Sequence, residues 1–242
     1  MVRNLSDALA KNTIAEKPAH VVEILGLAGT GKTTLSGLLS QRNKEVSVGV
    51  RLRKISYIPF YINLAYLFLP AYLHRIRTSR RITRGEIRAM VYLEAWHHAF
   101  ERQKPNGGEI YVLDHGPIYR LALLREFGPE SIRSQSFSNW WGRMLNRWAA
   151  TLDMVVWLDA PDVTLLKRIH KRNRWHVVKE LSDEEGLEYL TRFRKAFEQI
   201  VAMLPTGNGP TIIRLDTDRE PETRTVERIL AAFNLEFFDA DI

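Results

Sequence analysis

Five short apolar runs punctuate the chain, and sequence of helical character trails each of them. They are VVEILG (21–26), EVSVGVRL (45–52), EIYVLD (109–114), MVVWLD (154–159) and TIIRLD (211–216). Runs so continuously apolar belong to strands covered on both faces, as in a parallel sheet between two helical layers. Strands alternating with helices predict an α/β, doubly wound arrangement. Three of the runs end in Leu-Asp, which puts carboxylates at the carboxyl edge of the sheet, where open α/β folds leave a ligand crevice.

The helical stretches fill the gaps. Segment 33–42 follows the first run, and 85–103 precedes the third. Trp141, Leu145 and Trp148 share one helical stripe before the fourth run and are expected in the core. Ser182 and Glu185 form a capping box that opens a long helix with Leu190, Phe193, Phe197, Ile200 and Leu204 on one face. Pro221 is expected in the first turn of the last helix.

The first run leads into Gly26, Leu27, Ala28, Gly29, Thr30, Gly31, Lys32, Thr33 and Thr34, a full match to G-x-x-x-x-G-K-[ST]. Glycines let backbone N–H groups curl around phosphate oxygens, and the helix that follows adds its N-terminal dipole. In this pattern Lys32 reaches the β- and γ-phosphates of a nucleoside triphosphate, and the Thr33 hydroxyl ligates Mg²⁺. The strand before the motif and the helix after it are the context it needs, so all nine positions are assigned to nucleotide binding.

Composition sets outer limits. A chain of 242 residues, 45% hydrophobic, can build one large domain or one domain with an insertion. Its 35 Lys and Arg against 28 Asp and Glu give a net charge of +7, which favours anionic partners: nucleotides, phosphorylated substrates, acidic membrane surfaces or nucleic acid. The absence of cysteine excludes disulfides, thiolate metal sites and Cys nucleophiles together. Residues 1–20 read as an N-terminal arm without an apolar core of signal-peptide length, so the expectation is a cytoplasmic protein.

From residue 21 to about 236 the chain resembles the nucleoside and nucleotide kinase-like group of P-loop proteins, which includes thymidylate kinase. The glycine motif lies near the N-terminus. The third run ends in Asp114 within YVLDHGPIYR, the place of the family's Asp-Arg or Glu-Arg pair. The fourth runs into LDAPDVTLLKRIHKRNR, similar to the family's Leu-Asp-x-Pro, helix and arginine-bearing lid, and the final LDTD resembles its closing element. The resemblance implies a three-layer P-loop NTPase fold with a five-stranded parallel sheet in the order 2-3-1-4-5. It also implies a helical acceptor-side region over 51–108, a lid over 167–180 and a short tail at 237–242. The implied activity is phosphoryl transfer from ATP, with Mg²⁺, to a small-molecule acceptor: a nucleotide, a sugar or a lipid-linked compound. Lys32, Asp114, Arg168, Arg172 and Arg174 are then the catalytic candidates, and Thr33 and Asp114 the metal candidates. Arg51, Arg53, Tyr119 and Arg120 are the candidates for acceptor contact. His115-Gly116-Pro117 departs from the family pattern, since Arg usually follows the acidic residue, and this tells against thymidylate as acceptor.

The variable positions of the glycine loop carry no charge, so cancelling charge on a transferring phosphoryl group needs cations from elsewhere. The segment 167–179 supplies six of them, with Arg168 and Arg172 four apart on one helix face. Glu94, His97 and His98 share a helix face as well, and with no third ligand in view they and His176 are expected to be surface or interface residues rather than a metal centre.

One stretch stands apart. Residues 55–73, ISYIPFYINLAYLFLPAYL, contain no charge. Pro59 and Pro70 are expected to bracket about ten helical residues, on the order of 15 Å, too short for a bilayer core of roughly 30 Å. Apolar residues go round this helix, so it is expected to be buried by protein, by a second subunit in a homodimer, by substrate or by an acidic membrane that its basic flanks would meet. Two other functions fit a nucleotide-binding chain: a P-loop sulfotransferase, disfavoured by the intact Gly-Lys-Thr, and a regulatory NTP switch. No Asn-Lys-x-Asp guanine motif or Asp-Glu pair of mechanical ATPases accompanies the loop, and no nucleic-acid-binding module is present.

Overall fold

In the computed structural model, residues 20–49, 54–73, 82–102, 109–205 and 209–237 are described. Five strands, β1 (His20–Leu25), β2 (Val46–Val48), β3 (Ile110–Asp114), β4 (Met154–Asp159) and β5 (Thr211–Asp216), form one parallel sheet in the order β2-β3-β1-β4-β5. The helices are α1 (Lys32–Arg42), α2 (Ile58–Leu73), α3 (Arg84–Arg102), α4 (Pro117–Phe127), α5 (Glu130–Arg133), α6 (Ser138–Thr151), α7 (Asp162–Lys171), α8 (Asp183–Ala202) and α9 (Glu222–Phe237). The expected three-layer fold and strand order are observed.

Alternation along the strands sorts the core into two halves. Val22 and Ile24 of β1 pack with Leu35 and Leu39 of α1 and with Ile229 and Phe233 of α9 on one face. Val21 and Leu25 face the other way, toward α3, α4, α6 and α8. Each fully buried side chain of this kind contributes about 1.5–3 kcal/mol through removal from water. Glu23 lies between Val21 and Leu25 on that second face and is completely buried. The capping box of α8 is present in both directions, Glu185 N to Ser182 Oγ at 3.3 Å and Ser182 N to Glu185 Oε2 at 2.9 Å, and its apolar face is buried as expected.

Several boundaries and burials depart from expectation. β1 starts at His20, one residue inside the expected arm. β2 stops at Val48 because Gly49 turns away at φ 79°; its expected end, with Arg51 and Arg53, lies outside the described residues. Pro221 sits just before α9, its carbonyl accepting from Thr225 N at 3.1 Å. In α6 the deepest tryptophans are Trp140 and Trp148; Trp141 is half-buried, its indole N–H donating to the Ile132 carbonyl at 2.8 Å. The helix α2 runs through both prolines for 16 residues. Pro59 falls in the first turn, where its missing N–H has no intrahelical role, and Pro70 near the last turn forfeits one hydrogen bond. Its length of about 24 Å is still short of a bilayer core. Among the described residues no helix is long and apolar enough to cross a membrane.

Candidate functional site

The glycine loop is built by steric necessity. Gly26, at φ 157°, has no room for a side chain, since a Cβ there would lie 2.6 Å from the Leu158 carbonyl oxygen. Gly29 and Gly31 hold φ 90° and 89°, conformations that favour glycine. Gly31 is the N-cap of α1 and supplies no side chain, which leaves the first-turn amides of that helix without a side-chain partner. Lys32 is buried and curls back into the loop, its Nζ donating to the carbonyls of Gly26 at 2.8 Å and Leu27 at 2.9 Å. Burial lowers its pKa from 10.5 to about 8, against the opposing pull of Asp114.

β3 lies beside β1, and this places Asp114 across from the start of α1. The Thr33 hydroxyl donates to Asp114 Oδ2 at 3.0 Å, while Asp114 Oδ1 is buried without a hydrogen-bond donor. A hydroxyl and a carboxylate oxygen side by side are hard donors of the kind Mg²⁺ takes when phosphates supply the rest. The other two strand-end aspartates do not join the site. Asp159 is held by Arg194 and by Arg214, the latter at 2.6 Å, and Asp216 accepts from Asp218 N at 2.9 Å. These two carboxylates tie α8 and the β5–α9 turn to the sheet.

A cavity of about 700 Å³ opens above the loop, a size ordinary for small-molecule sites. Its walls are residues 28–35, His115 and Tyr119, the segment from α7 onward with Arg168, Arg172, Arg174, Trp175 and His176, and the β5–α9 turn with Thr217 and Glu220. Helix α7 ends at Lys171 and Arg172 is already extended, so the expected shared helix face of Arg168 and Arg172 gives way to a bend that still brings both to the cavity. Arg168 is also a strut: its guanidinium donates to the Thr217 carbonyl at 3.1 Å and pairs with Asp218 at 3.3 Å. Lys179 donates to the Arg172 carbonyl and closes the loop between α7 and α8 on itself, and His176 accepts from Val178 N at 3.2 Å.

On the other side of Asp114 the chain turns sharply. His115 takes φ 56°, a left-handed conformation that histidine visits more readily than most residues. Burial, with Lys32, Arg120 and Arg174 nearby, lowers its pKa to about 4 despite Asp114 beside it, which keeps the imidazole neutral. Gly116 is the N-cap of α4 and Pro117 has no N–H, so the helix has no cap of its own. Glu23 substitutes: its carboxylate accepts from Ile118 N at 2.7 Å and Tyr119 N at 2.9 Å. A Cβ on Gly116 would meet the Glu23 carboxyl carbon at 2.7 Å. The sequence departure His115-Gly116-Pro117 therefore has a local cause, because it fits around a buried carboxylate. Burial raises the Glu23 pKa to about 7, with the two backbone hydrogen bonds and Arg120 acting in the opposite direction.

Tyr119 and Arg120 diverge from this turn. Tyr119 lines the cavity, with its ring 4.4 Å from that of His115. Arg120 points instead to α3, its guanidinium 4.8 Å from the Tyr92 ring and 4.9 Å from the Trp96 ring, with Nε buried and without a hydrogen-bond partner. Glu94 accepts from the Trp140 indole at 3.0 Å, and the buried His97 lies edge-on to Trp148, so this helix face serves packing. Glu23 escaped notice in the sequence, although a lone carboxylate inside an apolar strand is a visible signal. Thr217 belongs to the LDTD stretch already singled out in the sequence, whereas Glu220, beyond it in the β5–α9 turn, gave no signal.

No protein-family profile and no curated protein matches this sequence. Solved structures do match in fold. Deoxyadenosine kinase from M. mycoides, with dCMP and dCDP bound, is 17% identical with a TM-score of 0.51, covering 89% of this chain and 98% of that one. Thymidylate kinase from Candida albicans is 16% identical with a TM-score of 0.55, covering 90% of this chain and 92% of that one. Identities this low establish the fold alone, and that fold is the P-loop kinase fold.

Proposed function

We propose that the chain is an ATP-dependent phosphotransferase acting on a nucleoside or nucleotide. The observation that carries the proposal is the cavity of about 700 Å³, whose walls hold the glycine loop with Thr33, the residue hydrogen-bonded to Asp114, together with Arg168, Arg172 and Arg174. The acceptor class rests on the two solved neighbours, which are by name a deoxynucleoside kinase and a nucleotide kinase.

Phosphoryl transfer asks the protein mainly for positioning and for cancellation of charge. The loop amides and the N-terminus of α1 bind the phosphates of ATP. Lys32 exchanges its two carbonyl partners for phosphate oxygens, and Arg172 and Arg174 approach from the lid. Thr33 and Asp114 would hold Mg²⁺, which when bound offsets charge on the β- and γ-phosphates. Arg168 holds the β5–α9 turn against α7, so that the turn forms one wall of the cavity. The acceptor approaches from the Tyr119 side. Its oxygen forms a bond to the γ-phosphorus as the bond to the β–γ bridging oxygen breaks; ADP leaves, and a hydroxyl acceptor releases its proton to solvent.

A screen with γ-labelled ATP and Mg²⁺ over nucleosides, nucleoside monophosphates, sugars and polyprenyl alcohols tests this. Label should appear on a nucleoside or nucleotide. Slow hydrolysis that no acceptor accelerates would instead identify a switch, and transfer only to a sugar or a lipid would overturn the acceptor class.

A further inference from the structure

The outward face of α2 has a composition that an ordinary water-facing helix does not have. Ile58, Tyr61, Ile62 and Tyr66 are exposed by 51%, 44%, 53% and 68%, while only Leu64 among the described side chains of this helix is buried. Ile58, Ile62 and Tyr66 follow one another at four-residue spacing, which makes a single stripe. The outer face of a surface helix is usually charged, yet α2 carries no charge in 16 residues. Leu64 and Phe60 pack on the core, but among the described residues the stripe of Ile58, Ile62 and Tyr66 is left uncovered by the chain.

Charge indicates what covers it. Between Val46 and Gly85 the sequence holds eight Arg and Lys and no Asp or Glu. Lys54 and Arg84, the described basic residues nearest the apolar helix in sequence on either side, are both exposed. A second copy of the chain docking by two-fold symmetry would set this patch against itself and oppose one all-basic segment to another. Nucleic acid needs cations at the contact itself, and the stripe has none. An anionic lipid surface meets both halves of the pattern, with hydrocarbon for the isoleucines, an interfacial layer for the tyrosines and headgroup charge for the basic flanks.

We propose that the α2 face docks on membranes rich in anionic lipid, with Ile58, Ile62 and Tyr66 inserted at the boundary between headgroups and acyl chains. The chain lies on such a surface and does not span it. This holds whether or not the protein is a kinase.

Co-sedimentation of the full chain with lipid vesicles tests it, comparing pure phosphatidylcholine with vesicles holding about 30% phosphatidylglycerol. The wild-type protein should pellet with the anionic vesicles, and less so as salt is raised. The double variant Ile62→Ser/Tyr66→Ser should partition about tenfold more weakly or worse, because it removes apolar area from the contact. Both side chains are more than half exposed, so the variant should keep the wild-type melting curve. Failure to bind anionic vesicles, equal binding to neutral ones, or undiminished binding by the variant would each overturn the proposal. So would a wild-type dimer in light scattering that the double variant converts to monomer.

Discussion

Replacing Gly116 with alanine adds one methyl group at a place where the structure has no space for it. The backbone there, at φ −71° and ψ −161°, is open to alanine, so the penalty comes from contact and not from strain. The new Cβ would lie 2.7 Å from the Glu23 carboxyl carbon, 2.9 Å from its Cγ and 3.0 Å from Oε2. The carboxyl group must retreat by something like 0.7 Å to restore ordinary carbon contacts. Its two hydrogen bonds, at 2.7 and 2.9 Å to Ile118 N and Tyr119 N, then stretch to the limit of usefulness. Two buried donors left without good partners cost about 1–3 kcal/mol each. For a chain of this size that lowers the thermal midpoint on the order of 5–15 °C. The mechanism predicts more than a loss of stability. In a Glu23→Ala background the obstruction is gone, and Gly116→Ala should then be nearly silent. A double-mutant cycle followed by thermal melts should return a coupling of about 2 kcal/mol or more. Equal destabilisation in both backgrounds, or a wild-type background that tolerates alanine within about 0.5 kcal/mol, would refute the assignment of Glu23 as the cap of α4.

Other outcomes follow from the same site. Because burial raises the Glu23 pKa from 4.5 to about 7, its protonated form is favoured in the folded state; the associated stability, about 3 kcal/mol, is present below pH 4.5 and lost as pH rises through 7. Relative to Glu23→Gln, wild-type protein should therefore lose ground across that window in urea titrations, and parallel curves would contradict it. Lys32 has its pKa lowered to about 8, so with Mg²⁺ saturating, ATP affinity should fall about tenfold from pH 7 to pH 9 as the ammonium is lost, whereas a lysine at 10.5 would leave it flat. Arg168→Ala should free the β5–α9 turn, which hydrogen exchange would register as faster exchange at residues 217–220 without loss of the overall fold.

How much of this was legible in the sequence depended on how local its cause was. The β4 strand was readable to the residue because a strand buried on both faces leaves an uninterrupted apolar run, and β5, a half-exposed edge strand, was bounded instead by its Thr-Ile-Ile start and its closing Leu-Asp. The glycine loop was readable because its backbone conformation admits few other residues. The end of β2 was overrun, since Gly49 looked like part of an apolar run until its positive φ showed a turn. Prolines misled at α2, where Pro59 sits in the one turn that needs no N–H from it. Of three strand-end aspartates alike in sequence, only Asp114 faces the loop, and that distinction depends on which strand lies beside β1 and on arginines distant in the chain. Glu23 and the His115-Gly116-Pro117 turn explain each other only when α4 is seen resting on the middle of β1.

The central claim is that the glycine loop and Lys32 hold a nucleoside triphosphate, and equilibrium titration of ATP with Mg²⁺ against wild type and Lys32→Ala tests it most directly. Loss of a charged hydrogen-bonding partner for phosphate should weaken binding by roughly 10- to 100-fold in the variant, with the fold unchanged by circular dichroism. Equal affinity in the two proteins would contradict the account.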